Sequence, residues 1–136
     1  MPYKHIMLPN SGSSITQNTT GLEIPDSPII PFIEGDGVGA DITPVMKEVI
    51  DAAIAKAYGP QRCINWLEIY AGEKAAAIYG NNTYLPDETL TAIEEFKVSI
   101  KGPLATPVGG GMRSLNVALR QQLDLYICQR PVSWFT

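Results

Sequence analysis

A single histidine, His5, and two cysteines, Cys63 and Cys128, occur among the 136 residues. A closed His/Cys zinc site needs four ligands, and they cannot be assembled from that set. Ser–His or Cys–His nucleophilic catalysis would have to recruit His5, in a segment expected to be a tail. Two cysteines are too few for a disulfide scaffold, so a reducing, cytoplasmic setting is the expectation. No run approaches the roughly 20 apolar residues of a membrane span. The N-terminal MPYKHIMLPNSGSS has one Lys and no apolar core of a secretory signal. Acid is nearly absent from residues 97–136, where five Lys/Arg face only Asp124, a balance of +4. Residues 1–96 carry five Lys/Arg against 13 Asp/Glu, a balance of −8. An acidic body with a basic C-terminal segment points to a localised anion site. Charges so dispersed, with few aromatics among them, do not make a nucleic-acid footprint. A small anionic ligand is expected.

What is present reads as alternating strands and helices. Residues 1–27 form an irregular arm, in which Ser14–Gln17 and Leu22–Ile24 flank Thr19-Thr20-Gly21 as a small hairpin. Residues 28–136 form an α/β domain. Ile29–Ile33 is a short buried strand, followed by the loop Gly35-Asp36-Gly37-Val38-Gly39. Thr43-Pro44 suits a helix start, with Thr as N-cap and Pro in the first helical position. Val45, Val49 and Ala53, with Met46, Ile50 and Ile54, mark one wide buried face, and Gly59-Pro60 ends that helix. Cys63–Tyr70 is rich in β-formers, Glu73–Tyr79 suits a short helix ended by Gly80, and Pro86 opens a further helix with Leu90, Ile93 and Phe96 on one side. Val98–Ile100 is a strand, Arg113–Gln122 a helix with Leu115, Leu119 and Leu123 spaced by four, and Leu125–Cys128 a last strand. This alternation predicts an α/β layer structure with a largely parallel sheet.

Two segments could carry chemistry. Gly35-x-Gly37-x-x-Ala40 formally fits the relaxed dinucleotide fingerprint, but Glu34, Asp36 and Asp41 crowd acid where a pyrophosphate would rest. With Thr43 as the cap, the helix N-terminus would also lie beyond the motif. A tight strand-to-helix turn, its glycines allowing positive φ, is the simpler reading. The second segment is KGPLATPVGGGMRSLNVALR, residues 101–120. It lacks the Gly-Lys-Ser/Thr of a P-loop. Three consecutive glycines followed by a helix N-terminus would bring backbone amides and the positive end of the dipole to an anion. Ser114 and Asn116 offer hydrogen bonds to a carboxylate, Asn116 and Arg120 share one side of the helix, and Arg130 could grip a second carboxylate. Surface arginines on a solvated helix are the plain alternative. The density of Arg, Lys, Ser and Asn around a glycine loop, with almost no acid to neutralise them, favours a polycarboxylate. Elsewhere no carboxylates pair for acid–base work. Glu94-Glu95 and Asp87-Glu88 read as exposed helix charge. Tyr70, Tyr79, Tyr84 and Tyr126 read as packing residues, and Cys63 and Cys128 as buried and inert.

IIPFIEGDGVGADITP, WLEIYAGEKAAAIYG and VSIKGPLATPVGGGMRSLNVALRQQLDLYICQRPV closely resemble the N-terminal part of bacterial NADP-dependent isocitrate dehydrogenases, within the β-decarboxylating dehydrogenase family. The resemblance covers about Ile29 to Val132, and the block from Lys101 is its most specific part. It implies an isocitrate/isopropylmalate dehydrogenase-like layered sheet with helices, not a Rossmann fold, in a two-domain homodimer. It implies oxidation of isocitrate to 2-oxoglutarate and carbon dioxide with NADP and Mg²⁺ or Mn²⁺, in the tricarboxylic acid cycle.

Residue by residue, Ser114, Asn116, Arg120 and Arg130 match the family's substrate contacts. Lys101 and Thr106 match positions near the nicotinamide end of the cofactor. Ser114 also matches a serine modified by a regulatory kinase/phosphatase, where a phosphate would repel the substrate's carboxylate. Ser114 and Asn116 favour isocitrate over isopropylmalate, because polar groups left unpaired against an alkyl branch are costly; a related dehydrogenase for homoisocitrate or isopropylmalate stays a further alternative. Ala105 stands where relatives have threonine. The catalytic tyrosine and lysine, the metal-binding aspartates and most of the NADP pocket are expected beyond Thr136, with no metal ligand and no catalytic residue inside this segment. The exposed aromatic end Trp134-Phe135 supports the rival expectation of a truncated, catalytically inactive or merely binding product.

Overall fold

The computed structural model describes residues 3–80, 82–105 and 114–134. The arm carries a hairpin of β1 (Thr16–Asn18) and β2 (Gly21–Glu23), paired antiparallel. Its turn is closed by Asn18, whose Oδ1 accepts from the Thr20 and Gly21 amides at 2.8 and 3.0 Å.

The body is a three-stranded parallel sheet in the order β4-β3-β5. Its centre is β3 (Ile29–Ile33), buried along its whole length as a continuous apolar run in a covered parallel sheet should be. On one side lies β4 (Asn65–Glu68), and on the other β5 (Ile100–Lys101). Because β5 pairs only with Phe32 and Ile33, Pro31 meets no ladder on that edge. The connecting helices are α1 (Gly39–Tyr58), α2 (Glu73–Tyr79) and α3 (Asp87–Phe96), with α4 (Leu115–Gln122) after β5. Among the described residues, Tyr3, Ile6, Ile29, Ile33, Leu67, Ile69, Ala71, Ala92 and Phe96 form one core. The arm therefore contributes to the core rather than trailing from it. No helix of the described residues is long and apolar enough to cross a membrane.

Several expectations need correction. The first helix starts at Gly39, four residues before the expected cap, so Thr43 and Pro44 lie inside it. Thr43 is buried, and its hydroxyl donates to the Glu34 carbonyl at 2.7 Å. The wide apolar face of α1 is only half used. Met46, Ile50 and Ile54 are half-buried, whereas Val45, Val49 and Ala53 are exposed because no element among the described residues covers that side.

Leu125–Cys128 forms no strand. Residues 125–134 carry no regular structure, and Tyr126 is fully exposed rather than packed. Both cysteines are exposed and neither lies in a strand. Glu88 is not idle helix charge. It accepts from the Lys4 and His5 amides at 2.7 and 3.2 Å and from the Tyr79 hydroxyl, while His5 packs edge-on against Tyr79. The expected tail is thus pinned to α2 and α3.

A candidate anion-binding cavity

Lys101 ends β5 at the C-terminal edge of the parallel sheet, where such sheets present their ligand-binding loops. Two turns of α4 face it. Leu115 and Leu119 are buried and anchor that helix, which leaves Asn116 and Arg120, one turn apart, on an accessible side. Lys101, Asn116 and Arg120 line a single cavity of about 200 Å³, floored by Ile33, Ile93, Leu119, Leu123 and Leu125, with Ser99 at its wall. No acidic side chain is among these lining residues. The Lys101 ammonium, which donates to the Gly102 carbonyl at 2.7 Å, is held below the ordinary lysine range. Burial is the main cause, the Arg120 charge adds to it, and Asp36 partly offsets both. Two cations beside an apolar floor make a place that a carboxylate would neutralise.

The other expected site residues lie elsewhere. Ser114 is half-buried and immediately precedes α4. It is not among the lining residues and its side chain makes no capping bond, although its carbonyl accepts from the Val117 and Ala118 amides at 2.9 Å each. Arg130 lies on the exposed tail rather than on a strand, and its Nε donates to Cys128 Sγ at 3.4 Å. That hydrogen bond and charge hold the Cys128 thiol below its ordinary range, the reverse of a buried, inert cysteine. Thr106, Arg113 and the three glycines at 109–111 lie outside the described residues.

The glycine loop at 35–39 serves packing. A Cβ on Gly35 would sit 2.4 Å from the Pro103 carbonyl, and one on Gly102 would sit 2.1 Å from the Glu34 carbonyl. The two loops at the sheet edge are pressed together, backbone on backbone. The loop therefore offers no cradle for a pyrophosphate, as the simpler reading expected. The reason given from the sequence was only partly sound, because α1 does begin within the motif: the Gly39 amide donates to the Asp36 carbonyl at 3.0 Å.

Sequence reasoning missed Asp36 as an organiser of this edge. Its carboxylate is buried, with Oδ1 accepting from the Glu73 amide and Oδ2 from the Ala105 amide, both at 2.8 Å. The available signal was an acid between two glycines, opposite the Gly72-Glu73 helix start. Nearby, Lys74 bridges Glu34 and Glu68. Burial pulls the Lys74 ammonium down, but hydrogen bonds to the two carboxylates more than offset this and hold it above its ordinary range. Among the described residues no group of three or more His, Cys, Asp or Glu could hold a metal ion, so these residues do not by themselves fit Mg²⁺ or Mn²⁺.

A parallel sheet with connecting helices, carrying a cavity lined by Lys101, Asn116 and Arg120 at its C-terminal edge, defines a layered α/β segment. Residues 29–136 match the isocitrate/isopropylmalate dehydrogenase family, and the chain belongs to it. It is 66% identical over 134 residues to an NADP isocitrate dehydrogenase of Coxiella burnetii, covering 98% of this chain and 31% of that protein. It is 62% identical over 136 residues to one of Pseudomonas aeruginosa, covering 99% of this chain and 32% of that protein. The crystal structure of isocitrate dehydrogenase from Methylococcus capsulatus superposes with a TM-score of 0.56 at 43% identity, over 72% of this chain and 26% of that one. The chain thus spans about a third of the length of the curated relatives it matches.

Proposed function

We propose that this chain supplies the substrate-carboxylate corner of an NADP-dependent isocitrate dehydrogenase. The observation that carries the reading is the meeting of Lys101, Asn116 and Arg120 around one acid-free cavity. Arg120 can grip one carboxylate through its planar fork, and Asn116 can donate an amide hydrogen to the same anion. Lys101 supplies a compact second positive charge. An anion between Lys101 and Arg120 relieves their mutual repulsion, so part of the binding free energy comes from cancelling an unfavourable term already present in the folded chain. Ser114 and Arg130 are assigned to the remaining carboxylates of the three-carboxylate substrate, and Thr106 to the cofactor side. A phosphate placed on Ser114 by a regulatory kinase would compete with the substrate's own negative charge.

These groups bind and orient. Hydride transfer and decarboxylation are assigned to groups other than these, in a homodimer when complete. The 136-residue chain by itself is therefore expected to bind substrate without turning it over. The test is a polypeptide in which residues 1–136 continue into the remaining sequence of the relative that is 66% identical. Isocitrate-dependent NADP reduction is expected, with Arg120→Met raising the KM for isocitrate about 30-fold or more, as for losing a charge-assisted hydrogen bond. A folded fusion without isocitrate turnover overturns the reading. Preference for isopropylmalate or homoisocitrate would move the assignment to another branch of the family.

A further inference from the structure

Asp36 is not among the residues that line the cavity, yet it bonds the backbone that follows Lys101. Its own amide donates to the Pro103 carbonyl at 2.7 Å, and its Oδ2 accepts from the Ala105 amide at 2.8 Å. Those two bonds bracket the turn that follows Lys101 and Gly102. Its Oδ1 accepts from the Glu73 amide at the first turn of α2, and its carbonyl accepts from the Gly39 amide at the first turn of α1. One residue thus ties the starts of two helices to the segment leaving β5. The fit is tight: a Cβ on Gly72 would lie 2.4 Å from both carboxylate oxygens.

A carboxylate only 8% exposed ordinarily has a cationic partner. Among the described residues no Lys or Arg forms an ion pair with Asp36, and its hydrogen bonds come from backbone amides. A carboxylate is the acceptor that two convergent N–H groups require. An asparagine there would turn an NH₂ toward one of them.

We propose that Asp36 is a positioning residue for the anion cavity: its buried carboxylate fixes the backbone at 103–105 and so holds Lys101 across from Asn116 and Arg120. This rests on the proposed reading of the cavity as the substrate-carboxylate site. Loosening the clamp leaves the three ligating side chains intact but lets β5 and its loop wander relative to α4, and misplacement of such groups weakens anion binding steeply.

The experiment uses the fused full-length polypeptide described above. The unsubstituted fusion must first show isocitrate turnover, and its absence would count against the functional reading alone. In an active fusion, Asp36→Asn is expected to raise the KM for isocitrate about tenfold or more, with a smaller fall in kcat. A purely structural role would instead lower the fraction of active enzyme, so that kcat falls while KM stays put. That result overturns the proposal. Should Asp36→Asn fail to fold, replacement of Ala105 by L-lactic acid deletes only the N–H that donates to Oδ2. It is expected to raise KM in the same direction, by about threefold or more, and an unchanged KM there overturns the proposal equally.

Discussion

Lys101 is a residue whose charge is set by opposing influences, and their balance can be read by titration. Burial and the Arg120 charge lower its proton affinity below the ordinary 10.5, and Asp36 restores only part of it. The folded chain therefore binds this proton less tightly than the unfolded chain does. Around neutral pH the charge works against folding, and the penalty fades as pH rises through the interval between the lowered value and 10.5. An anion in the cavity reverses this by favouring the charged form. Lys101→Met is accordingly expected to raise the melting temperature of the chain at pH 7 while reducing the further rise produced by isocitrate. Thermal unfolding with and without isocitrate checks both parts, and a fall in the ligand-free melting temperature would show that the ammonium supports the fold. The spacing of Asn116 and Arg120 on one side of a helix was legible in the sequence, whereas Lys101 was placed with Thr106 on the cofactor side and its sharing of a cavity with them was not. Nor was Asp36, since its importance comes from partners 37 and 69 residues away that only the tertiary structure brings to it.

Among the elements, those set by local chemistry were readable and those set by neighbours were not. Ile29–Ile33 is a strand from end to end, and Glu73–Tyr79 is a helix stopped by Gly80 at φ 70°. The start of α1 was misjudged because Thr43-Pro44 carries the local signature of a beginning, while the actual start is fixed by the Asp36 carbonyl and the packed glycine loop. Leu125–Cys128 has strand-forming residues but pairs with neither edge of the sheet, and it stays outside it. The arm is the element whose attachment has the clearest pH dependence. Burial would raise the Glu88 carboxyl, but the Tyr79 hydroxyl and the Lys4 and His5 amides outweigh it and hold the group below the ordinary 4.5. A depressed carboxyl stabilises the folded state above the unfolded value and loses that contribution as pH falls through the folded one. The arm is thus expected to loosen as pH drops below about 4.5, the ordinary glutamate value. Protection of the His5 amide, the slowing of its hydrogen exchange relative to that of the unfolded chain at the same pH, should fall over that interval, and Glu88→Gln should lower it already at pH 7. Unchanged protection in that variant would mean that Tyr3 and Ile6, buried in the core, hold the arm unaided.

For the molecule as a whole, the distribution of apolar surface follows from how little of it the chain can cover. Val38, just before α1, and Ile42, Val45 and Val49 along it are 57%, 48%, 58% and 63% exposed. The tail adds Ile127, Val132 and Trp134 at 70% or more. A contiguous helix face of this kind is not what a monomeric soluble protein ordinarily shows to water. The pattern of α1 was read as one wide buried face, which holds for only half of it: an apolar stripe specifies that something should cover it, not that this stretch of chain contains the cover. Two edges of a three-stranded sheet add further adhesive surface. The acidic body supplies a net charge of −4, which opposes association only over about 10 Å at 0.1 M salt. Short-range apolar contact should therefore prevail, and the 136-residue chain is expected to self-associate at micromolar concentration, more strongly as salt is raised. The paired change Val45→Lys and Val49→Glu should shift it toward monomer, because it places opposite charges one helical turn apart on the exposed face without touching the core. Sedimentation velocity of both forms at low and high salt decides the matter. A monomeric parent chain would show that the α1 face is not sticky enough to matter, and an associating double variant would move the contact to the tail or the sheet edges.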